Sequence, residues 1–375
     1  MTTRLERIRA ALAEERLDAL LVSGPVDDVY GRHSQNRLFA SGFSGSFGYA
    51  FITRDRALMA VDSRYVEQAE RECKPNGFEI YKFKGRTATW IAEVAKQLEL
   101  PGKRLGVSPG DMTAGGYEKL RHAFNEMAWG IRPAIGLASP LIEKLRRHKD
   151  ADEIAALQCA IDIGDAAFEA VEARLTPDMT EIEVATSIED EIRALGGRGV
   201  SFETIVACGP WAAMPHATPR GERLLEGEPI VIDMGVLANG YCSDLTRTTR
   251  IGRLTPEIRA LYEIVFAAQE AAIEGIEHGM TGTKAHALAA DVIKAAGHDE
   301  HFGHGLGHGV GLEVHEGPSL GPNSEDTLEE GMVFTIEPGI YVPGLGGVRI
   351  EDVVVIENGR ARVMSHARKL TPAGV

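Results

Sequence analysis

At 375 residues the chain is long enough for two or three domains, and 44% hydrophobic against 25% charged residues suits a globular protein with a sizeable core rather than a disordered one. A formal net charge of −15 works against a general binder of nucleic acid or anionic membranes, whose phosphates call for clustered Lys and Arg. No apolar leader or membrane-length run is present, and Cys73, Cys159, Cys208 and Cys242 show no CxxC spacing, so a cytoplasmic protein with reduced thiols is expected.

In chain order, Leu5, Ile8, Leu12, Leu17 and Leu20 are spaced for an amphipathic helix over 4–20 that runs into a short buried strand, ALLVSGP. GYAFITRDRALMAVDSRY predicts two strands around a polar RDR turn. TATWIAEVAKQLEL predicts a helix, and the LGV of GKRLGVSPG the strand after it. Trp90 and Trp129 are assigned to core packing. In IRPAIGLASPLIEKLRRHKDADEI a Pro/Gly-bearing, strand-like segment meets a charged helix start, which puts a domain boundary near 132–142 and divides the chain into 1–135 and 136–375. Helical patterns fill 150–173 and 181–195, the second entered through Thr180 with Glu183 three residues on, a capping box. Beyond it the chain turns strand-rich, and no internal repeat is visible.

The strand-rich part carries the chemistry. EPIVIDMGVLANGYCSDLTRTTRI predicts a β-hairpin with Asp233 and Asp244 on opposite arms of an ANG turn. MVFTIEPGIYV puts Glu337 behind another apolar strand, and GVRIEDVVVIENG puts Glu351 and Asp352 in the middle of a third. Any one of these acids alone would be an ordinary carboxylate hydrogen-bonded at a strand end. Several converging on one core repel one another unless cations neutralise them. The remaining nitrogen ligand is sought in HGLGHGVGLEVHE, His304 to Glu316. His304 and His308 stand four apart, as in a helical zinc motif, but Gly305 and Gly307 disfavour a helix and the motif's Glu is missing, so a loop or irregular strand is expected. Four carboxylates and one imidazole exceed the ligand set of a lone catalytic zinc and suit two divalent ions, with Mn²⁺, Co²⁺, Fe²⁺ and Zn²⁺ all admissible. Such a pair activates a water and clamps the oxygens of a hydrolytic reaction.

The order Asp, Asp eleven positions later, His within HGLGHGVGLEVHE, Glu within TIEPG and Glu within RIED resembles the pita-bread metallopeptidases, in the branch of the Xaa-Pro aminopeptidases and prolidases. GFSGSFGYAFIT and VDSRYVEQA resemble segments of the creatinase-like N-terminal domain that these enzymes carry. The resemblance implies an α/β chain: a smaller mixed-sheet N-terminal domain followed by a pita-bread catalytic domain with a curved antiparallel sheet. It makes Asp233 a chelating ligand of one ion, Asp244 and Glu351 bridges, and His308 with Glu337 the ligands of the other, manganese being the first choice of metal. Glu337 would also be the general acid/base, His216 and His315 would contact the substrate and its reacting carbonyl, and His304 would lie near the proline site. The glycines would let a peptide lie against the loop. A homodimer is also implied, in which Arg64 and Tyr65 could reach a neighbouring cleft or be plainly structural.

Some neighbours have simpler readings. His216 could be a turn histidine packed by Trp211, and His298 and His301 are read as surface residues or outer supports of the site. Arg349 is expected to orient a bridging carboxylate rather than to touch substrate. Many prolidases place an arginine for the substrate's C-terminal carboxylate shortly after the histidine signature. Here HEGPSL has Ser319 instead, which favours an aminopeptidase acting on longer Xaa-Pro peptides over a dipeptidase. Proline-containing peptides are thus the expected partners. A metal-free creatinase-type amidinohydrolase and a non-catalytic pita-bread binding protein are disfavoured, because no ligand has been lost.

Overall fold

The structure, a computed structural model, describes residues 3–24, 34–109, 112–127 and 132–370. It divides into two compact units, Met1–Arg146 and Arg147–Val375. In the first, helix α1 (Arg4–Glu14) starts in a capping box between Thr3 and Glu6 and ends earlier than its apolar spacing suggested. Arg16 adopts a left-handed conformation (φ 54°), and the chain reverses, so that Leu20 belongs to strand β1 (Ala19–Gly24) instead. Then follow α2 (Gln35–Ser41), β2 (Gly48–Thr53), β3 (Ala57–Val61), α3 (Val66–Cys73), β4 (Glu79–Lys82), α4 (Thr87–Gln97), β5 (Arg104–Val107), α5 (Ala114–Asn125), β6 (Ala134–Leu137) and α6 (Leu141–Arg146).

The strands form one mixed sheet in the order β4-β3-β2-β1-β5-β6, with β1–β2–β3 antiparallel and the outer pairs parallel. Trp90 is buried and stacks on Phe83 at 4.7 Å, as expected of a core residue. Trp129 lies outside the described residues. Within this unit Arg64 pairs with Asp62 at 2.8 Å and the Tyr65 hydroxyl bonds to Ser46. β6 extends the sheet, and Arg146, at the end of α6, donates to Asn36 at 2.8 Å. The unit therefore continues past residue 135, where the change in sequence texture had suggested its end.

The second unit begins with α7 (Ala151–Glu172) and α8 (Glu181–Ala194), whose capping boxes at Asp150/Glu153 and Thr180/Glu183 each stabilise a helix start by about 1 kcal/mol. Next come β7 (Gly199–Val200), β8 (Ile205–Cys208), β9 (Ile230–Met234), β10 (Val236–Ala238), β11 (Tyr241–Cys242) and β12 (Leu245–Thr249). Helices α9 (Pro256–Gly275) and α10 (Gly282–Ala295) precede β13 (Gly307–Gly309), β14 (Glu316–Leu320), β15 (Val333–Ile336), β16 (Gly339–Val342), β17 (Gly346–Arg349), β18 (Asp352–Glu357) and β19 (Arg360–Val363). Every strand pairing in this unit is antiparallel. α7 and α8 cover β8, β9, β10 and β12 through one apolar cluster, and α9 and α10 cover β15 to β18 through another. Among the described residues no helix is long and apolar enough to cross a membrane.

Candidate metal and active site

Strand periodicity decides which side chains face away from the helices. Ile230, Ile232 and Met234 enter the helix-backed core, which turns Asp233 to the opposite face. Phe334 and Ile336 do the same on β15, and turn out Thr335 and Glu337. Ile350 is buried against α9 and α10, so its neighbours Arg349 and Glu351 face outward. Glu351 occupies the break between β17 and β18 rather than the middle of one strand. Asn239 and Gly240, with φ of 52° and 84°, form the predicted hairpin turn, and Thr246 pairs with Asp233 across β12 and β9. Asp244, eleven positions on along the same hairpin, is thereby brought beside Asp233.

His308 reaches this face from β13, the irregular strand expected of the histidine signature. A Cβ on Gly307 would stand 2.0 Å from the Thr335 carbonyl oxygen, and one on Gly309 2.1 Å from that of Gly317. These two glycines let strands pack closely; only part of the glycine cluster (Gly303, Gly305 and Gly307) lines the cavity.

The acids and His308 meet at the base of a cavity of about 850 Å³ formed wholly by the second unit. Ligand atoms of Asp244, His308 and Glu351 lie within 4.8 Å of one another. His308 Nε2 is 3.2 Å from Glu337 Oε1 and 3.6 Å from Asp244 Oδ2, while its Nδ1 faces the Gly309 carbonyl at 3.2 Å. Thr335 Oγ1 donates to Glu337 Oε1 (3.1 Å) and accepts from the His308 amide (3.0 Å). Asp233 Oδ2 accepts from Arg349 Nη2 at 2.6 Å, and its Oδ1 is buried with no hydrogen-bond partner.

Burial, reinforced by neighbouring carboxylates, holds Asp244 and Glu351 well above the usual carboxylate range. Asp233 is raised for the same first reason despite Arg349. Burial also pushes Glu337 upward, but hydrogen bonding and charge from His308 outweigh it and hold this one carboxyl low. His308 is raised in return, its burial outweighed by Glu337. A buried acid oxygen without a donor, two acids pushed above the usual carboxylate range by burial and mutual repulsion and an imidazole nitrogen facing carboxylates form an O-rich donor set that fits divalent ions.

Arg349 lies elsewhere than anticipated. Its guanidinium serves Asp233, Tyr341 OH (2.8 Å), Thr246 Oγ1 (3.0 Å) and the Pro215 carbonyl (3.3 Å), whereas Glu351 Oε2 accepts from Thr246 Oγ1 at 2.8 Å. Arg349 is linked to the Glu351 carboxylate through Thr246, because its guanidinium projects toward Asp233 across β12.

Of the other predicted residues, His216, His304 and His315 all line the cavity. His315 packs edge-on against His308 at 4.2 Å between ring centroids. His304 Nδ1 donates to the Gly305 carbonyl (2.7 Å), leaving Nε2 to accept from the Tyr341 hydroxyl at 3.1 Å. Burial lowers its pKa and keeps that imidazole neutral. The Trp211 ring, the alternative packing partner for His216, takes the Arg220 guanidinium at 4.3 Å. His301 lines the cavity and its ring packs against His298, so only His298 stays outside the lining. Tyr341 and Thr246, which the sequence reading passed over, are the polar links of the site; Tyr341 stands in the same apolar strand run that pointed to Glu337.

Residues 155–358 match metallopeptidase family M24, and residues 4–148 match the creatinase/prolidase N-terminal domain. The chain belongs to metallopeptidase family M24. The family makes it a metal-dependent hydrolase using divalent ions, in agreement with the donor set. This M24 chain is 36% identical to a Xaa-Pro dipeptidase of Pyrococcus furiosus, over 99% of its own length and 100% of the relative's. Among solved structures it resembles a Xaa-Pro dipeptidase from Bacillus anthracis (TM-score 0.89, 36% identity, 98% of each chain). It also resembles an X-Pro aminopeptidase from Thermotoga maritima (TM-score 0.85, 31% identity, 96% of this chain and 98% of that one).

Proposed function

We propose that this M24 hydrolase cleaves the Xaa-Pro bond at the N-terminus of peptides, and that it acts on chains longer than two residues. The reading rests above all on the convergence of Asp233, Asp244, His308, Glu337 and Glu351 beneath one cavity. These five would hold two divalent ions, with Asp244 and Glu351 shared between them; manganese is the first candidate, cobalt, zinc and iron the others. Such ions polarise a carbonyl and lower the pKa of water.

The protein's own contribution is orientation and proton transfer. Glu337, held in its charged form, accepts the proton of the attacking water and returns it to the proline nitrogen as the C–N bond breaks. Like any amide nitrogen, the prolyl nitrogen leaves as a neutral amine only once it has taken up this proton. His315 and His216 donate to the carbonyl oxygen as charge develops there. Neutral His304, fixed by Gly305 and Tyr341, shapes the proline side.

Support for longer substrates comes from the cavity's cations. Among the described residues Arg349 is the one arginine or lysine lining it, and four of its five N–H donors go to Asp233, Tyr341, Thr246 and Pro215. Ser319 lines the wall, with Glu203 and Glu300 elsewhere in the lining, so among the described residues a free C-terminal carboxylate meets no guanidinium other than that of Arg349, which is engaged with Asp233. The relatives named Xaa-Pro dipeptidases support the second reading, a prolidase cutting free dipeptides. A cytoplasmic setting agrees with four cysteines scattered without CxxC spacing, and a homodimer follows from the resemblance alone.

Hydrolysis of Xaa-Pro and Xaa-Pro-Yaa peptides with added Mn²⁺, Co²⁺ or Zn²⁺ tests the proposal. Tripeptide cleavage releasing the first residue is expected. Cleavage of dipeptides alone would transfer the assignment to prolidase, and cleavage of neither would remove it.

A further inference from the structure

Behind the cavity wall lies a buried ion pair that the chemistry above does not use. Lys149 Nζ donates to Glu316 Oε1 at 2.8 Å, with the two side chains only 1% and 7% exposed. Burying two charges is expensive, and such a pair is kept for what it fixes as much as for stability. Glu316 directly follows His315 in the chain. Its carboxylate also closes the preceding loop: the Glu313 amide donates to Oε2 at 3.4 Å, and a Cβ on Gly311 would stand 2.4 Å from Oε1. The loop is held from its other side where the Cys242 amide donates to the Gly311 carbonyl at 2.8 Å, beside the Asp244 hairpin.

Lys149 is itself anchored. Its amide donates to the Gly331 carbonyl (3.0 Å), and the next residue, Asp150, caps α7. Two positions earlier, Arg147 pairs with Asp326 at 2.6 Å, whose other oxygen accepts the Ser319 amide at 2.9 Å. Arg147 also lies against Gly317, where a Cβ would come 2.4 Å from Nε. The segment Arg147–Lys149 therefore grips strand β14 at both ends, one end next to His315 and the other at Ser319.

We infer that Lys149, acting through Glu316, is a positioning residue that holds the His315 imidazole at its contact with His308 and toward the substrate carbonyl. The inference rests on the functional reading above for His315's role, but the geometry it asserts is independent of that reading. Small misplacements of a catalytic group cost on the order of 10- to 100-fold in rate. Lys149→Met is expected to lower kcat on an Xaa-Pro-Yaa peptide by that factor, with bound metal unchanged. Glu316→Gln should do the same, and the double variant Lys149→Met/Glu316→Gln, which leaves neither charge unpaired, should fold well and remain as slow as either single variant.

The deciding comparison is a cycle with His315→Ala. If Lys149 acts through His315, adding Lys149→Met to His315→Ala costs nothing further; a full additional loss overturns the inference. Crystals of the double charge-neutral variant give a readout free of activity. A His315 ring displaced from His308 is expected, and a ring still seated at its present contact overturns the inference even if the wild type hydrolyses no peptide. If the ring does move but no Xaa-Pro substrate is cut by the wild type, the functional reading fails and the positioning role stands.

Discussion

Replacing Arg349 with methionine keeps the aliphatic stem and removes the guanidinium that ties Asp233, Tyr341 and Thr246 together. Arg349 is only 4% exposed and Asp233 13%, so the carboxylate left behind is poorly solvated. Stripping one partner from a buried pair costs about 3–5 kcal/mol, chiefly through that uncompensated charge. Each kcal/mol moves the melting temperature of a unit of this size by about 2–4 °C, so a fall of about 6–20 °C is expected for the metal-free variant. Divalent ions supply the missing positive charge, and the gap between variant and wild type should narrow when they saturate the site. Scanning calorimetry with chelator and then with excess Mn²⁺ measures both quantities. A metal-free fall of less than about 2 °C, well under the shift expected for a buried pair, or a gap that metal leaves unchanged, would refute the view that Arg349 balances an otherwise cation-seeking acid cluster.

Other outcomes follow from the same geometry. Glu337→Gln should lower kcat by about 10²- to 10⁴-fold, since it removes the proton carrier; steady-state kinetics in which kcat holds would exclude that role. Asp244 and Glu351, raised first by burial, keep protons in the metal-free fold that the unfolded chain releases. The stability they confer is complete below the ordinary carboxylate pKa of about 4 and is lost as pH climbs through their raised values. Metal binding should therefore release protons, fewer as pH rises, in calorimetry run in buffers of different ionisation enthalpy; no release at mildly acidic pH would count against the raised values. Burial pushes the Cys73 thiol up to about 12 and Cys208 to about 11, so both should resist a disulfide reagent in the native protein and react once it is unfolded. Rapid native labelling at either position would contradict their burial.

Much of the site was legible because its ligands sit where local rules speak. A carboxylate ending an apolar strand is costly without a cation, and the alternation of Ile230, Ile232 and Met234 against Asp233 fixes the face it points to. The capping box at Thr180 and Glu183 and the Asn239–Gly240 turn were readable for the same reason, each being a backbone requirement met by one or two residue types. What sequence did not reveal depends on register between distant strands. Arg349 and Glu351 are near neighbours in the chain, yet the arginine serves Asp233 and leaves Glu351 to Thr246, because side-chain reach across β12, not sequence distance, decides the pairing. The first unit's end depends on pairing in the same way. The Pro/Gly-bearing segment near residue 135 is strand-like in sequence and forms β6, the edge of a sheet whose other strands lie upstream, so the unit runs on to Arg146.

The central claim is tested most directly by anomalous diffraction from crystals soaked in manganese, with peptide hydrolysis measured on the same preparation. Two manganese peaks are expected, bridged by Asp244 and Glu351 and flanked by Asp233 on one side and by His308 with Glu337 on the other, and activity that is lost to chelator and regained with metal. An active preparation whose crystals show no metal among those five side chains would contradict the account.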